Sequence, residues 1–107
     1  ATRCAQDQNK FWEFHDVLFE KQPALSVANL KQYAVDLGLN ASQFNTCLDT
    51  AKYEQAVKDD MTAGEQVGVR GTPASFVGTV NGNTFNGVQI SGAVPFETFK
   101  AQIDPLL

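Results

Sequence analysis

Along the first half of the chain, apolar positions recur at helical spacing. Over residues 2–20 the spacing predicts a helix, with room for a break near Asp7 to Asn9. Phe11, Phe14, His15, Leu18 and Phe19 fall at i, i+3, i+4, i+7 and i+8 and predict one inward face, with Trp12 at its flank. Gln22-Pro23 ends that helix, because the residue before a proline is pushed out of the helical region. Ser26 is a good N-cap for a helix over 27–37, whose inner face is Val27, Leu30, Tyr33, Ala34 and Leu37. Gly38 closes it. A short helix follows, capped by Asn40 or Ser42, with Phe44, Cys47 and Leu48 inward. Residues 51–67 predict a further helix with Tyr53, Ala56, Val57, Met61, Gly64 and Val67 inside. Gly64 costs about 1 kcal/mol against alanine in mid-helix, so close packing is expected there.

After residue 68 the pattern shortens. Ala74-Ser75-Phe76-Val77 opens a strand over 74–80. Asn81-Gly82-Asn83 is a turn signal, and a second strand runs over about 87–91. Gly92 breaks it. Pro95 is placed at the first position of a last helix, with Phe96, Phe99 and Ile103 inward and Asp104-Pro105 at its end. Pro73 has no N–H to give to a sheet, so it belongs at a strand's first position or on an edge. A proline that opens a strand after the Gly71 turn is a place to expect a cis peptide bond, here Thr72-Pro73.

Length and charge narrow the class. At 107 residues the chain is one domain at most, and its 43% hydrophobic content is that of a globular protein. A net charge of −4 without a basic cluster argues against nucleic acid and anionic membranes as partners. No apolar stretch is long enough to span a bilayer. The opening Ala1-Thr2-Arg3-Cys4 reads like the middle of a helix without a cap or an initiator methionine, which points to truncation or processing.

Candidate chemistry is sparse. His15 is the only histidine, and on an apolar helix face it reads as a packed, hydrogen-bonded core residue rather than a catalyst. Asp59-Asp60 are adjacent on a helix and do not face each other, so a solvated face is expected rather than acid–base work. Cys4 and Cys47 are the only cysteines and form neither a redox motif nor a zinc site. Their spacing allows a structural disulfide or two separate buried thiols. No metal site and no cofactor motif is present in the sequence.

Several separated stretches, taken together, resemble the DsbA-like thiol–disulfide oxidoreductases of the thioredoxin fold. Gly68-Val69-x-Gly71-Thr72-Pro73-x-x-Phe76-Val77 and Ser91-Gly92-Ala93-x-Pro95-Phe96 resemble that family's C-terminal hairpin and helix. Ala1-Thr2-Arg3-Cys4-Ala5 with Gln8 to Phe19 resembles the helix that begins its helical insertion. Phe44-Asn45-x-Cys47-Leu48 and Lys52-Tyr53 resemble the insertion's end. The likeness implies a mostly helical α/β fragment: helical insertion and connecting helix over 1–68, then cis-proline loop, β-hairpin and helix over 69–107. It implies that Cys4 and Cys47 form a structural bridge, and that Thr72 and Pro73 contact substrate. The implied substrates are unfolded or cysteine-containing proteins, and the implied compartment is periplasmic or extracellular.

One departure governs the functional reading. The family works through a Cys-x-x-Cys at a helix N-terminus, where the thiol pKa is lowered and the thiolate attacks. This chain contains none. The resemblance implies that the chain begins after that motif and lacks the central strands. No catalytic residue is therefore expected in it, and alone it is expected to be inactive. With two strands supplied, a homodimer or a bound N-terminal half is expected to complete the sheet. Two other readings compete: a redox-inactive thioredoxin-like binding or scaffolding module, and a cytosolic relative acting on small thiol conjugates. A disulfide between the cysteines would argue against the latter.

Overall fold

The helical half forms because four short helices each end cleanly and turn one face to a shared centre. In a computed structural model, which describes all 107 residues, these are α1 (Thr2–Gln6), α2 (Phe11–Glu20), α3 (Val27–Asp36) and α4 (Ala41–Asp49). Ser26 accepts from the Asn29 N–H and caps α3, and Asn40, rather than Ser42, caps α4 through the Gln43 N–H. The C-terminus of α3 is a Schellman closure: Gly38 sits at φ +74, and Leu39 N–H returns to the Ala34 carbonyl at 2.9 Å. Helices α1 and α4 close in the same pattern, with Asn9 (φ 59) and Ala51 (φ 51) in the place glycine fills best.

Residues 1–59 make one compact unit. Its core is Cys4, Ala5, Phe14, Tyr33, Ala34, Leu39, Phe44 and Cys47, with Val17, Leu18, Leu30, Leu37, Leu48 and Tyr53 packed against it. Phe14 and Phe44 are fully buried, with ring centroids 5.1 Å apart. Burying each ring is worth about 1.5–3 kcal/mol. Cys4 and Cys47 are joined by a disulfide with Cα atoms 5.8 Å apart, tying α1 to α4. Polar pairs brace the same unit. Gln8 and Asn40 exchange two hydrogen bonds, of 2.7 and 3.3 Å, and the Tyr33 hydroxyl donates to the Ala24 carbonyl at 2.8 Å.

Residues 60–107 make a second unit. It takes in the end of α5 (Glu54–Gln66), strands β1 (Ala74–Asn81) and β2 (Thr84–Ser91), helix α6 (Phe96–Ile103) and a short 3-10 turn at Asp104–Leu106. The strands form a two-stranded antiparallel hairpin, in register from Ala74↔Ser91 to Asn81↔Thr84 around a two-residue loop with Gly82 at φ +59. The pairing starts β2 three residues earlier than the apolar pattern suggests. Gly78 and Gly87 face each other in this register. A Cβ on Gly78 would lie 2.2 Å from the Asn86 carbonyl oxygen, and one on Gly87 would lie 2.3 Å from that of Val77. Only glycine fits at either place.

Several predicted inward faces are not inward. On α2, Phe14, Val17 and Leu18 turn to the core, whereas Phe19 is 63% exposed and His15 is half-exposed rather than packed inside. Val27 is exposed at the start of α3. Helix α5 begins at Glu54, not residue 51, and buries no residue. Its Val57 and Met61 are exposed, as is Val67 just past its end. A Cβ on Gly64 would meet Val69 only at ordinary contact distance, so close packing does not account for that glycine. Pro95 is the N-cap of α6 rather than its first residue. Phe96 and Ile103 are exposed, and Phe99 is half-buried. Helix α6 packs against β1, while Val57, Met61 and Phe96 stay exposed. These side chains have the spacing of a buried face and no neighbour to bury them.

Candidate functional site

Thr72 and Pro73 stand where α5 hands over to the hairpin. The Gly68 turn (φ +87), with Val69 N–H bonded to the Gly64 carbonyl at 2.9 Å, ends α5 and frees the chain. The Thr72–Pro73 bond is cis. The carbonyl of Pro73 accepts from Gly92 N–H at 2.8 Å, just beyond the last strand pair, so the loop is pinned to the open end of the hairpin. Thr72 is exposed, and neither its N–H nor its carbonyl has a hydrogen-bond partner in the chain. Its backbone polar groups are thus unpaired immediately before the first residues of β1.

The hairpin face that carries Phe76 and Phe85 is open. Their rings meet edge to face with centroids 6.5 Å apart. A cavity of about 550 Å³ lies over this face, lined by Val67, Phe76, Phe85, Gly87 and Gln89. Gly87 lines it without a side chain, and its partner Gly78 adds none across the pair. The sequence reading missed this pair. The signal was available, since Gly78 and Gly87 lie three residues outside the Asn81 and Thr84 that flank the turn.

The two cysteines cannot act as nucleophiles, since both sulfurs are in the disulfide and no free cysteine exists. Beside Cys47 lies a polar cavity of about 440 Å³ lined by Asp7, Asn40, Gln43, Thr46 and Lys52 among others. Lys52 donates to Asp7 at 2.7 Å, and the Tyr53 hydroxyl donates to the same carboxylate. The Lys52 hydrogen bond, then that of Tyr53, holds the Asp7 carboxyl below its usual range. The Asp7 bond in turn raises the Lys52 ammonium. The group is a structural clasp joining the α1–α2 turn to the end of α4, with both members ionised at neutral pH. His15 shares a 2.9 Å contact with Asp16. Asp59 accepts from Gln55 along its own helix. No cluster of three or more His, Cys, Asp or Glu side chains has the arrangement of a metal site.

Similarity to known proteins agrees with the sequence motifs. The chain is 32% identical over 106 residues to the Na(+)/H(+) antiporter NhaA 3 of Salinispora tropica, a match that takes in 98% of this chain and 16% of that protein. It is 34% identical over 95 residues to the Na(+)/H(+) antiporter NhaA 1 of Salinispora arenicola, covering 88% of this chain and 15% of the relative. It is also 34% identical over 77 residues to the Na(+)/H(+) antiporter NhaA of Herminiimonas arsenicoxydans, covering 72% and 12%. The chain thus spans about a sixth or less of each of these relatives. No helix of the chain is long and apolar enough to cross a membrane. No solved structure matches it. Residues 1–104 match the DSBA-like thioredoxin domain, and the chain belongs to that family.

Proposed function

We propose that this chain is the substrate-facing part of an extracytoplasmic protein thiol–disulfide oxidoreductase, with 1–68 as its helical insertion and 69–107 as its hairpin-and-helix part. The observation that carries the reading is the unpartnered backbone of Thr72 next to Pro73 at the open end of the hairpin. An extended client segment can pair with such a unit as an added strand, independent of client sequence except near the reactive cysteine. Strand addition there would hold a client cysteine still while another polypeptide segment supplies the attacking thiolate. The chain itself supplies none, because its two sulfurs are bonded to each other.

Three observations test this. The reading expects a Cys-x-x-Cys some tens of residues before Ala1 in the parent gene; its absence would favour a redox-inactive binding module instead. Amide-resolved NMR titration with an extended cysteine-blocked peptide is expected to perturb Thr72 and its neighbours first. Perturbation that spares Thr72 would remove its assigned role. The chain alone is expected to leave dithiothreitol-driven insulin reduction at the blank rate. The antiporter names of the relatives describe much longer proteins, and we assign no ion transport to this chain.

A further inference from the structure

The outward side of α2 carries two parallel rows, each at i, i+4, i+8 spacing. One is Phe11, His15 and Phe19, and the other is Trp12, Asp16 and Glu20. The rings form a continuous surface. Phe11 meets Trp12 edge to face at 5.0 Å, Trp12 meets His15 at 5.2 Å, and His15 meets Phe19 at 4.8 Å. Trp12 is 68% exposed and Phe19 63%. Phe11 and His15 are half-buried between them, so the platform is open to solvent at Trp12 and Phe19.

The edge of the platform is acidic. The Asp16 carboxylate contacts only His15 Nδ1, and Glu20 has no partner. The one lysine that follows, Lys21, sits 4.5 Å over the Tyr33 ring and does not neutralise that edge. Aromatic faces and uncompensated carboxylates both attract cations, the first through the ring quadrupole and the second directly. Both disfavour acidic partners, and the chain's net charge of −4 disfavours a second copy of itself. An apolar partner without charge would leave the carboxylates at its margin unused.

We infer that this face of α2 docks unfolded polypeptide segments in which Lys or Arg stands beside large apolar side chains. The inference rests on the reading that the clients are unfolded proteins, and it adds their class: segments rich in basic and apolar residues. Docking here involves no cysteine chemistry.

Trp12 is the only tryptophan, so its emission reports on this face directly. The test titrates the 107-residue chain with a cysteine-free, tryptophan-free peptide of alternating Lys and Leu or Phe. A saturable shift of Trp12 emission to shorter wavelength is expected, weakened by salt. The same peptide with Glu in place of Lys is expected to give no shift, and a Lys–Gly peptide to bind about ten-fold more weakly. Asp16→Lys combined with Glu20→Lys should weaken binding about ten-fold or more. Asp16→Asn with Glu20→Gln, which keeps the shape, should weaken it several-fold. Absence of a shift with the Lys peptide, an equal shift with the Glu peptide, or full binding by both double variants would overturn the inference. A parent gene without Cys-x-x-Cys would defeat the oxidoreductase reading and leave the Trp12 result standing, so the two failures are distinguishable.

Discussion

The two units of this chain hold comparable numbers of residues and bury very different amounts of themselves. Residues 1–59 close around two fully buried phenylalanines and a disulfide. Residues 60–107 bury Ile90 alone, at 7% exposure, against eight buried residues in 1–59, and leave Phe76, Val80, Phe85, Val88 and Phe96 in solvent. The first unit is held by its interior. The second is held by a backbone ladder with α6 against β1. A ladder fixes register while leaving a face and an edge open, which is the form a strand-adding site requires.

The largest contrast is expected from one substitution made in each unit. Phe14→Ala removes a fully buried ring and should cost about 3–5 kcal/mol. Phe85→Ala removes a ring that is 47% exposed, plus its edge contact with Phe76, and should cost about 1 kcal/mol. Urea unfolding of both variants checks this; equal losses would erase the distinction.

Next comes the disulfide. Cys4 and Cys47 are 43 positions apart, and opening that loop should remove about 4 kcal/mol in the chain-entropy account. A double Cys→Ser variant should lower the unfolding midpoint followed through Trp12, while β1 and β2 amides keep their exchange rates.

The reverse experiment acts on the second unit alone. Gly87→Ala drives a Cβ to 2.3 Å from the Val77 carbonyl oxygen and 2.5 Å from the Phe85 ring. The expected loss is about 1–3 kcal/mol, read as faster exchange along β1 and β2 with the Trp12 midpoint unmoved.

The smallest effect compares one motif across both units. The closures after α4 and α5 share a geometry, but Ala51 occupies the first at φ 51 and Gly68 the second at φ +87. Ala51→Gly should gain up to about 1 kcal/mol by relieving the left-handed backbone. Gly68→Ala should lose a similar amount. Thermal melts of the pair decide it.

What was legible in the sequence follows the same division. Local signals read correctly: Ser26 and Gly38 bound α3 because a cap is settled by its own few residues. The break at Asp7 to Asn9 and the hairpin turn were visible for the same reason. The family motifs around Thr72 and Pro73 placed the loop at the head of β1. Which face of α2 is buried was not legible. Phe11, Trp12, Phe14, Val17, Leu18 and Phe19 surround most of that helix, and the choice is made by what stands opposite, Phe44 above all. The inner faces read on α5 and α6 show the other limit. Periodicity reports which side could be buried, not that a neighbour is there. The Gly78–Gly87 pairing depends on strand register, and the apolar pattern misplaced the start of β2.

Amide-resolved hydrogen exchange on the intact 107-residue chain tests the central claim most directly, that one unit is closed by its core and the other is left open for a partner. Amides in α2, α3 and α4 are expected to exchange only through global unfolding of residues 1–59. Those in β1 and β2 should exchange through smaller openings at least about 2 kcal/mol lower in free energy. Equal protection across α2–α4 and the hairpin, lost together in a single transition, would contradict the account.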